Sequence, residues 1–198
     1  MTQPIGAEPA TPRRDAGPPA SPAVTSPVPA DAERDRAWAV LRQVPDPEVP
    51  ALSVVDLGLV RELSARADGL DVVLTPTYSG CPATEVITQS VHDALAAAGF
   101  GRIVVSLRRA PAWTTDWISA EGRRKLRDYG IAPPAHGVSV AAPAGGGAVP
   151  IRIHDRGVAC PRCDSADTER LSAFGSTACK ALYRCRACRE PFEHFKPI

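Results

Sequence analysis

Cys160-Pro161-Arg162-Cys163 and Cys185-Arg186-Ala187-Cys188 are two Cys-x-x-Cys knuckles, separated by a stretch long enough for a β-hairpin. Each knuckle presents two sulfurs to one ion, and four thiolates suit a tetrahedral Zn²⁺. Protein then fills all four positions and leaves none for water or substrate, so the expected role of the ion is structural. The surrounding segment, residues 151–198, is too short to rest on an apolar core alone, and metal-binding energy there becomes folding energy. The same four thiolates would also accept a single iron or an iron–sulfur cluster, and ligand type does not separate these from zinc.

Working outward, the chain divides by composition. Residues 1–34 hold eight of the 21 prolines and almost no large apolar side chains, so they read as a disordered tail that cannot offset the entropy of ordering. Residues 132–150, with Pro133-Pro134 and Gly145-Gly146-Gly147, read as a linker. Between them lies a core, residues 35–131, of the size of a small domain. The formal net charge is +1, and residues 36–131 carry eleven acidic and eleven basic side chains, so no strong field for nucleic acid or an acidic membrane follows. The C-terminal piece has only a small basic excess, which argues against nucleic-acid binding. No apolar run approaches the roughly 20 residues of a membrane span. The expectation is a cytoplasmic protein with reduced thiols, where paired cysteines more often mean metal than disulfide.

Within the core, a helix capped by Asp31 and carrying Ala37, Trp38, Leu41 and Val44 on one face should stop before Pro45. Asp46-Pro47-Glu48-Val49-Pro50 must be a loop that displays two carboxylates, because its prolines remove donors and restrict their neighbours. Ser53 can cap a short turn ending at Asp56, and Leu59–Leu63 with Leu70–Thr75 read as a hairpin across Asp68-Gly69. A helix with Ile87, Val91 and Leu95 follows Gly80-Cys81-Pro82. Then come a strand with Ile103, Val105 and Leu107, and a last helix from about Ser119 to Tyr129. The order α-β-β-α-β-α gives the α+β class, with helices on a small mixed sheet and the four-cysteine zinc ribbon after it.

Cys81, placed at or next to a helix N-terminus, is the leading chemical candidate: the dipole and free amides there favour thiolate, which attacks electrophiles and binds soft metals. A buried cysteine acting as a small hydrophobe is the plain alternative. Asp46, Glu48 and Asp56 are candidate partners with an equally plain reading as turn and cap residues. Cys179 is a spare thiol beside Lys180, a cation that would lower its pKa. His194 is expected at the surface. His92, the one histidine of the core, lies eleven residues from Cys81 and about 16 Å along the helix, too far to serve as its base, so catalysis by this chain alone is not expected.

Asp46-Pro47-Glu48, Ser53-Val54-Val55-Asp56-Leu57-Gly58-Leu59-Val60, Gly80-Cys81-Pro82, Pro111-Ala112-Trp113 and Gly130-Ile131 together resemble the small iron–sulfur assembly domain of SufT-like proteins. The segment from Phe174 to Cys185, with Glu190-Pro191-Phe192, resembles the PaaD (PaaJ) family of the phenylacetyl-CoA epoxidase system. In that system a di-iron oxygenase, with a flavin and iron–sulfur reductase, converts phenylacetyl-CoA to a ring epoxide. The resemblance implies a protein that is not itself an enzyme and that helps mature the di-iron or iron–sulfur centres of the monooxygenase, with the oxygenase, the reductase or both as partners. It also implies a structural Zn²⁺ and transient iron or cluster at Cys81, Asp46, Glu48, Asp56 or Cys179. The alternative is a non-catalytic structural subunit of the complex. A homodimer is left open. The family tends to finish Phe-Lys-Cys-Ile where this chain has Phe195-Lys196-Pro197-Ile198, so any role of that last cysteine is not carried over.

Overall fold

Residues 30–66, 68–78, 80–135 and 158–198 are described by the computed structural model. The proline-rich tail up to residue 29, most of the expected linker and the first residues of the C-terminal piece lie outside the described residues.

Helix α1 spans Ala30–Leu41. It starts one residue ahead of the expected cap, and Asp31 pairs with Arg34 within it (3.1 Å). Ala37, Leu41 and Val44 are buried as the periodicity requires. The loop that follows is tied from inside: Pro45 bridges Ser53, and the Asp46 amide donates to the Leu52 carbonyl (2.8 Å).

Strand β1, Val60–Arg66, pairs antiparallel with β2, Gly69–Leu74. Helix α2, Thr84–Ala97, then crosses over and returns the chain as β3, Arg102–Leu107, parallel to β2. The sheet order is β1-β2-β3, which is the small mixed sheet the sequence implies. Leu70, Val72 and Leu74 of the central strand are at most 2% exposed, and each such side chain contributes about 1.5–3 kcal/mol by leaving water. Ile87, Val91 and Leu95 of α2 pack in the same core.

Helix α3, Ala120–Asp128, is capped by Ser119, whose Oγ accepts from the Gly122 amide (2.9 Å). A Cβ at Gly122 would lie 2.7 Å from the Asp56 carbonyl oxygen, so the helix start fits against the 53–58 turn only without a side chain there. Gly130, at φ +90°, ends the helix and leads into β4, Ile131–Ala132.

The C-terminal segment contributes β5, Thr168–Ser172, β6, Lys180–Cys185, and β7, Pro191–Phe195. Their sheet runs β4-β7-β6-β5. Ile131 pairs with Glu193 and Ala132 with His194, so the first residue of the segment read as a linker is part of a strand. Phe195 and Cys179 belong to the same apolar cluster as α1, β2 and α2, and Phe195 lies 6.1 Å from Trp113, centroid to centroid. Trp113 is in turn fixed by its indole N–H, which donates to the Leu57 carbonyl (2.9 Å). Arg127 of α3 forms an ion pair with Asp164 beside the first knuckle. The ribbon is therefore packed into the core through its last strand, and its hairpin reaches the loops of the first sheet.

His194 is buried, not at the surface as expected. Its Nδ1 lies 3.1 Å from the Ala132 carbonyl oxygen, and its ring stands edge-on to Tyr183, because β4 covers a position that the sequence of the hairpin alone leaves open. No helix among the described residues is long and apolar enough to cross a membrane.

Candidate functional site

Two groups of sulfurs stand out, and they are built differently. In the ribbon, the two knuckles have the same local construction. The Cys160 amide donates to the Ser165 carbonyl and the Cys185 amide to the Glu190 carbonyl, each at 3.0 Å. Asp164 and Arg189, the residues directly after each Cys-x-x-Cys, take left-handed backbone at φ 62° and 64°. That turn brings each second cysteine back over the first, and the Cys188 amide points at Cys185 Sγ (3.5 Å).

The four ligating atoms of Cys160, Cys163, Cys185 and Cys188 lie within 4.8 Å of one another. Cys160 Sγ is 3.8 Å from Cys188 Sγ and Cys163 Sγ is 3.6 Å from Cys185 Sγ. Tetrahedral bonds of ~2.3 Å to one Zn²⁺ give an S···S edge of ~3.8 Å, far from the ~2.0 Å of a disulfide. The donor set therefore fits a single tetrahedral ion. The Cys188 amide, against the cost of desolvation and with help from Cys163, holds the Cys185 thiol down at about 7. Cys188 goes the other way: the Glu190 amide favours its thiolate, but desolvation and the sulfurs of Cys185, Cys163 and Cys160 push it up to about 12. Four thiolates this close need a cation between them, and a dication supplies it.

The second group sits where the ribbon meets the first sheet. Asp46, Glu48, Val49, Thr77, Cys81, Cys179 and Phe195 are among the residues lining a cavity of about 20 Å³, room for about one water-sized species. Three separate segments supply its polar groups. Glu48 is presented by the proline-flanked loop, where Asp46 Oδ1 accepts from the Glu48 and Val49 amides (2.9 and 2.8 Å). Cys81 lies in the turn before α2, with its carbonyl accepting from Thr84 Oγ1 (2.8 Å). Cys179 lies directly before β6, with its carbonyl accepting from the Lys196 amide (2.9 Å). The Cys179 thiol points at Glu48 Oε2 (3.6 Å) and stands 3.1 Å from Thr177 Oγ1.

The expected thiolate at Cys81 is not what this environment favours. Helix α2 begins at Thr84, with Ala83 as its N-cap, so Cys81 stands outside the first turn. Burial pushes its thiol up, and Glu48 adds to this, against the Ala83 amide. Lys180 likewise fails to activate Cys179. Burial raises that thiol to about 11, with Glu48 adding to the rise, and outweighs both Thr177 and Lys180. The Lys180 ammonium is engaged elsewhere, 2.9 Å from Glu193 Oε2. Burial also raises the Asp46 carboxyl, against the Val49 and Glu48 amides.

Asp56 stands apart from the cavity. Its Oδ2 accepts from the Ser53 amide and hydroxyl (3.0 and 2.9 Å) and from Lys125 Nζ (2.7 Å). Burial opposes its ionisation, but Lys125 and Ser53 prevail and hold the carboxyl below its usual range. Among the cavity groups, sequence reasoning named Asp46, Glu48, Cys81 and Cys179 separately. Their convergence is tertiary, and 131 positions separate Glu48 from Cys179. Thr77 was missed, and its only signal was its place in the loop ahead of Cys81.

The family profile described as PaaD zinc beta ribbon domain matches residues 148–196, and the one described as iron–sulfur cluster assembly protein matches residues 34–106. A protein provisionally named as a subunit of the 1,2-phenylacetyl-CoA epoxidase, from Escherichia coli (strain K12), is 48% identical over 162 residues, 81% of this chain and 91% of that protein. The Fe-S protein maturation auxiliary factor YitW of Bacillus subtilis (strain 168) is 34% identical over 91 residues, 45% of this chain and 88% of that protein. A crystal structure of a domain of unknown function from Bacillus anthracis, 27% identical, covers 49% of this chain and 93% of its own, at a TM-score of 0.47. An assembly-type domain with its acidic loop and cysteine, joined to a four-cysteine ribbon and matched along four-fifths of its length, places this chain in the PaaD family of the phenylacetyl-CoA epoxidase system.

Proposed function

We propose that this chain is an accessory protein of phenylacetyl-CoA epoxidation in aerobic phenylacetate degradation, not catalytic by itself, which assists the loading of iron or iron–sulfur centres into the monooxygenase. The observation that carries the reading is the junction cavity, where two thiols and a carboxylate face a space large enough for one small occupant. Thiolate and carboxylate together suit iron better than a hard cation such as Mg²⁺. A single iron ion is the cargo that this space fits, and Cys81, half-buried where Cys179 is buried, is the residue placed to receive it. Asp46 orients Glu48 through the two loop amides, and Asp56 fixes the 53–58 turn against α3, so both act by holding structure.

In the ribbon, Cys160, Cys163, Cys185 and Cys188 would hold a Zn²⁺ whose chemistry is structural: it cross-links two knuckles and leaves no ligand position open. The ribbon also offers the surface for docking an oxygenase or reductase component in the cytoplasm, with no role for nucleic acid or membrane. Pairing of two copies is a matter for solution measurement of mass.

A second reading, a non-catalytic component that stays in the complex, is favoured by the name of the 48%-identical relative, which calls that protein a subunit. Both are tested by producing the epoxidase components with and without this chain, then measuring iron content and epoxidation. The maturation reading expects under-loaded components without the chain and full activity after its removal from loaded ones. Full metal loading in its absence, with stoichiometric co-elution in its presence, selects the second reading instead.

A further inference from the structure

The family profile for the assembly domain ends at residue 106 and so includes Glu48 and Cys81 but not Cys179. In the folded chain the missing sulfur arrives from the other end. β6 runs from Lys180 to Cys185, so one strand carries Cys179 at one end and a ribbon ligand at the other, about 20 Å away at ~3.3 Å per residue. The near end is held by four contacts. Lys180, whose side chain is 4% exposed, pairs with Glu193 (2.9 Å). Glu193 also accepts from the Ser176 amide. The Lys196 amide donates to the Cys179 carbonyl (2.9 Å). Phe195 is buried against Trp113. Together they fix the end of the strand from which the Cys179 thiol faces Glu48 (3.6 Å).

Resting on the reading of the cavity as the place where iron is held, we propose that the ribbon completes that site: Cys179 is its second sulfur ligand, and with Cys81 and Glu48 makes a three-donor site for Fe²⁺. The ion takes a lone pair from each sulfur, and each thiol gives up its proton. Glu48, 3.6 Å from Cys179 Sγ, is placed to take the first proton on its way to solvent. Two thiolates and one carboxylate then face one dication, and its remaining positions are open to water or to a receiving protein's ligands. The ribbon sulfurs already lie within 4.8 Å of one another, whereas at the junction the donors come from three separate segments, with Cys179 Sγ 3.6 Å from Glu48 Oε2. The ion must draw them together, which weakens its hold and suits release. The Asp46 carboxylate is engaged by two amides and serves as a positioning residue.

The test uses the zinc-loaded full-length protein, prepared without oxygen and titrated with Fe²⁺, with bound iron counted after desalting and its sulfur neighbours counted by X-ray absorption. The wild type should take up a single Fe²⁺ with two sulfur neighbours. Cys179→Ser should keep its zinc, bind iron at least about tenfold more weakly and show one sulfur neighbour; Cys179→Ala is the second variant should serine disturb the packing. Iron binding unchanged in both Cys179 variants but lost in Cys81→Ser would overturn the ribbon's part and leave the cargo reading standing. A wild type that takes up no Fe²⁺ would remove the cargo reading itself, and this proposal with it.

Discussion

The ribbon sulfurs and the junction sulfurs use the same donor atom for opposite ends. In the ribbon, four thiols converge within 4.8 Å through two knuckles that are each local in sequence and that the short β5–β6 pairing brings together. At the junction, Cys81 and Cys179 meet only because Phe195 and the first strands share a core. Their thiols stay protonated in a tight cavity. A closed set of four suits an ion that stays; on the proposed reading, the open set at the junction would hold one only provisionally.

The largest expected effect follows from that contrast. Cys185→Ser removes a ligand that is 0% exposed, and the ribbon should lose its zinc and its dispersed amide spectrum. Structural zinc contributes on the order of 10 kcal/mol to folding such pieces. Persistence of the ribbon spectrum in this variant would break the comparison at its closed end. Next, Phe195→Ala should destabilise the first sheet's core by about 3–5 kcal/mol, measured by denaturant unfolding. Retention of full stability would mean that the ribbon merely lies alongside the core.

A chemical measurement sharpens the open end. Cys179 is raised from 9.0 to about 11, so at pH 8 its thiolate fraction is about a hundredfold below that of a free thiol. Alkylation by iodoacetamide, followed by peptide mass spectrometry, should be slower by at least about tenfold, since a thiolate of higher pKa is also the stronger nucleophile. The folded value lies above the unfolded one. Cys179 therefore favours the folded state fully below pH 9, and that contribution is lost as pH rises toward 11. Stability that stayed flat between pH 8 and 11 in the wild type and in Cys179→Ala would deny the burial. The smallest effect is Arg189→Gly. Left-handed backbone at φ 64° strains a non-glycine residue by about 1–2 kcal/mol, so glycine should raise ribbon stability by up to about 1 kcal/mol after its entropy cost.

Much of the molecule was legible in order of how local its determinants are. The knuckles, the β1–β2 hairpin, α2 with Ile87, Val91 and Leu95, and the Ser119 cap are all fixed by neighbours a few residues apart. The Ser53–Asp56 turn was legible too: Ser53 Oγ accepts from the Asp56 amide (3.0 Å) as a cap should, and Asp56 Oδ2 accepts in return from the Ser53 amide (3.0 Å). What sequence could not place was anything decided by the docking of the two halves. Cys81 looked like an activated thiol because Pro82 suits a first helical position, but α2 begins at Thr84, and burial against the core, with Glu48 nearby, sets the balance. Lys180 looked like an activator of Cys179, but Glu193, thirteen residues later on the paired strand, claims its charge. His194 looked exposed until β4 covered it.

The zinc site at one end of β6 and the cavity at the other end form one folded unit, and this unity is open to a direct check. It is tested most directly by stripping zinc from the full-length protein with a chelator while recording amide spectra. The ribbon resonances should collapse, and those of Glu48, Thr77, Cys81 and Trp113 should shift with them as Cys179 and Phe195 leave the core. Ribbon resonances lost while those four stayed fixed would contradict it.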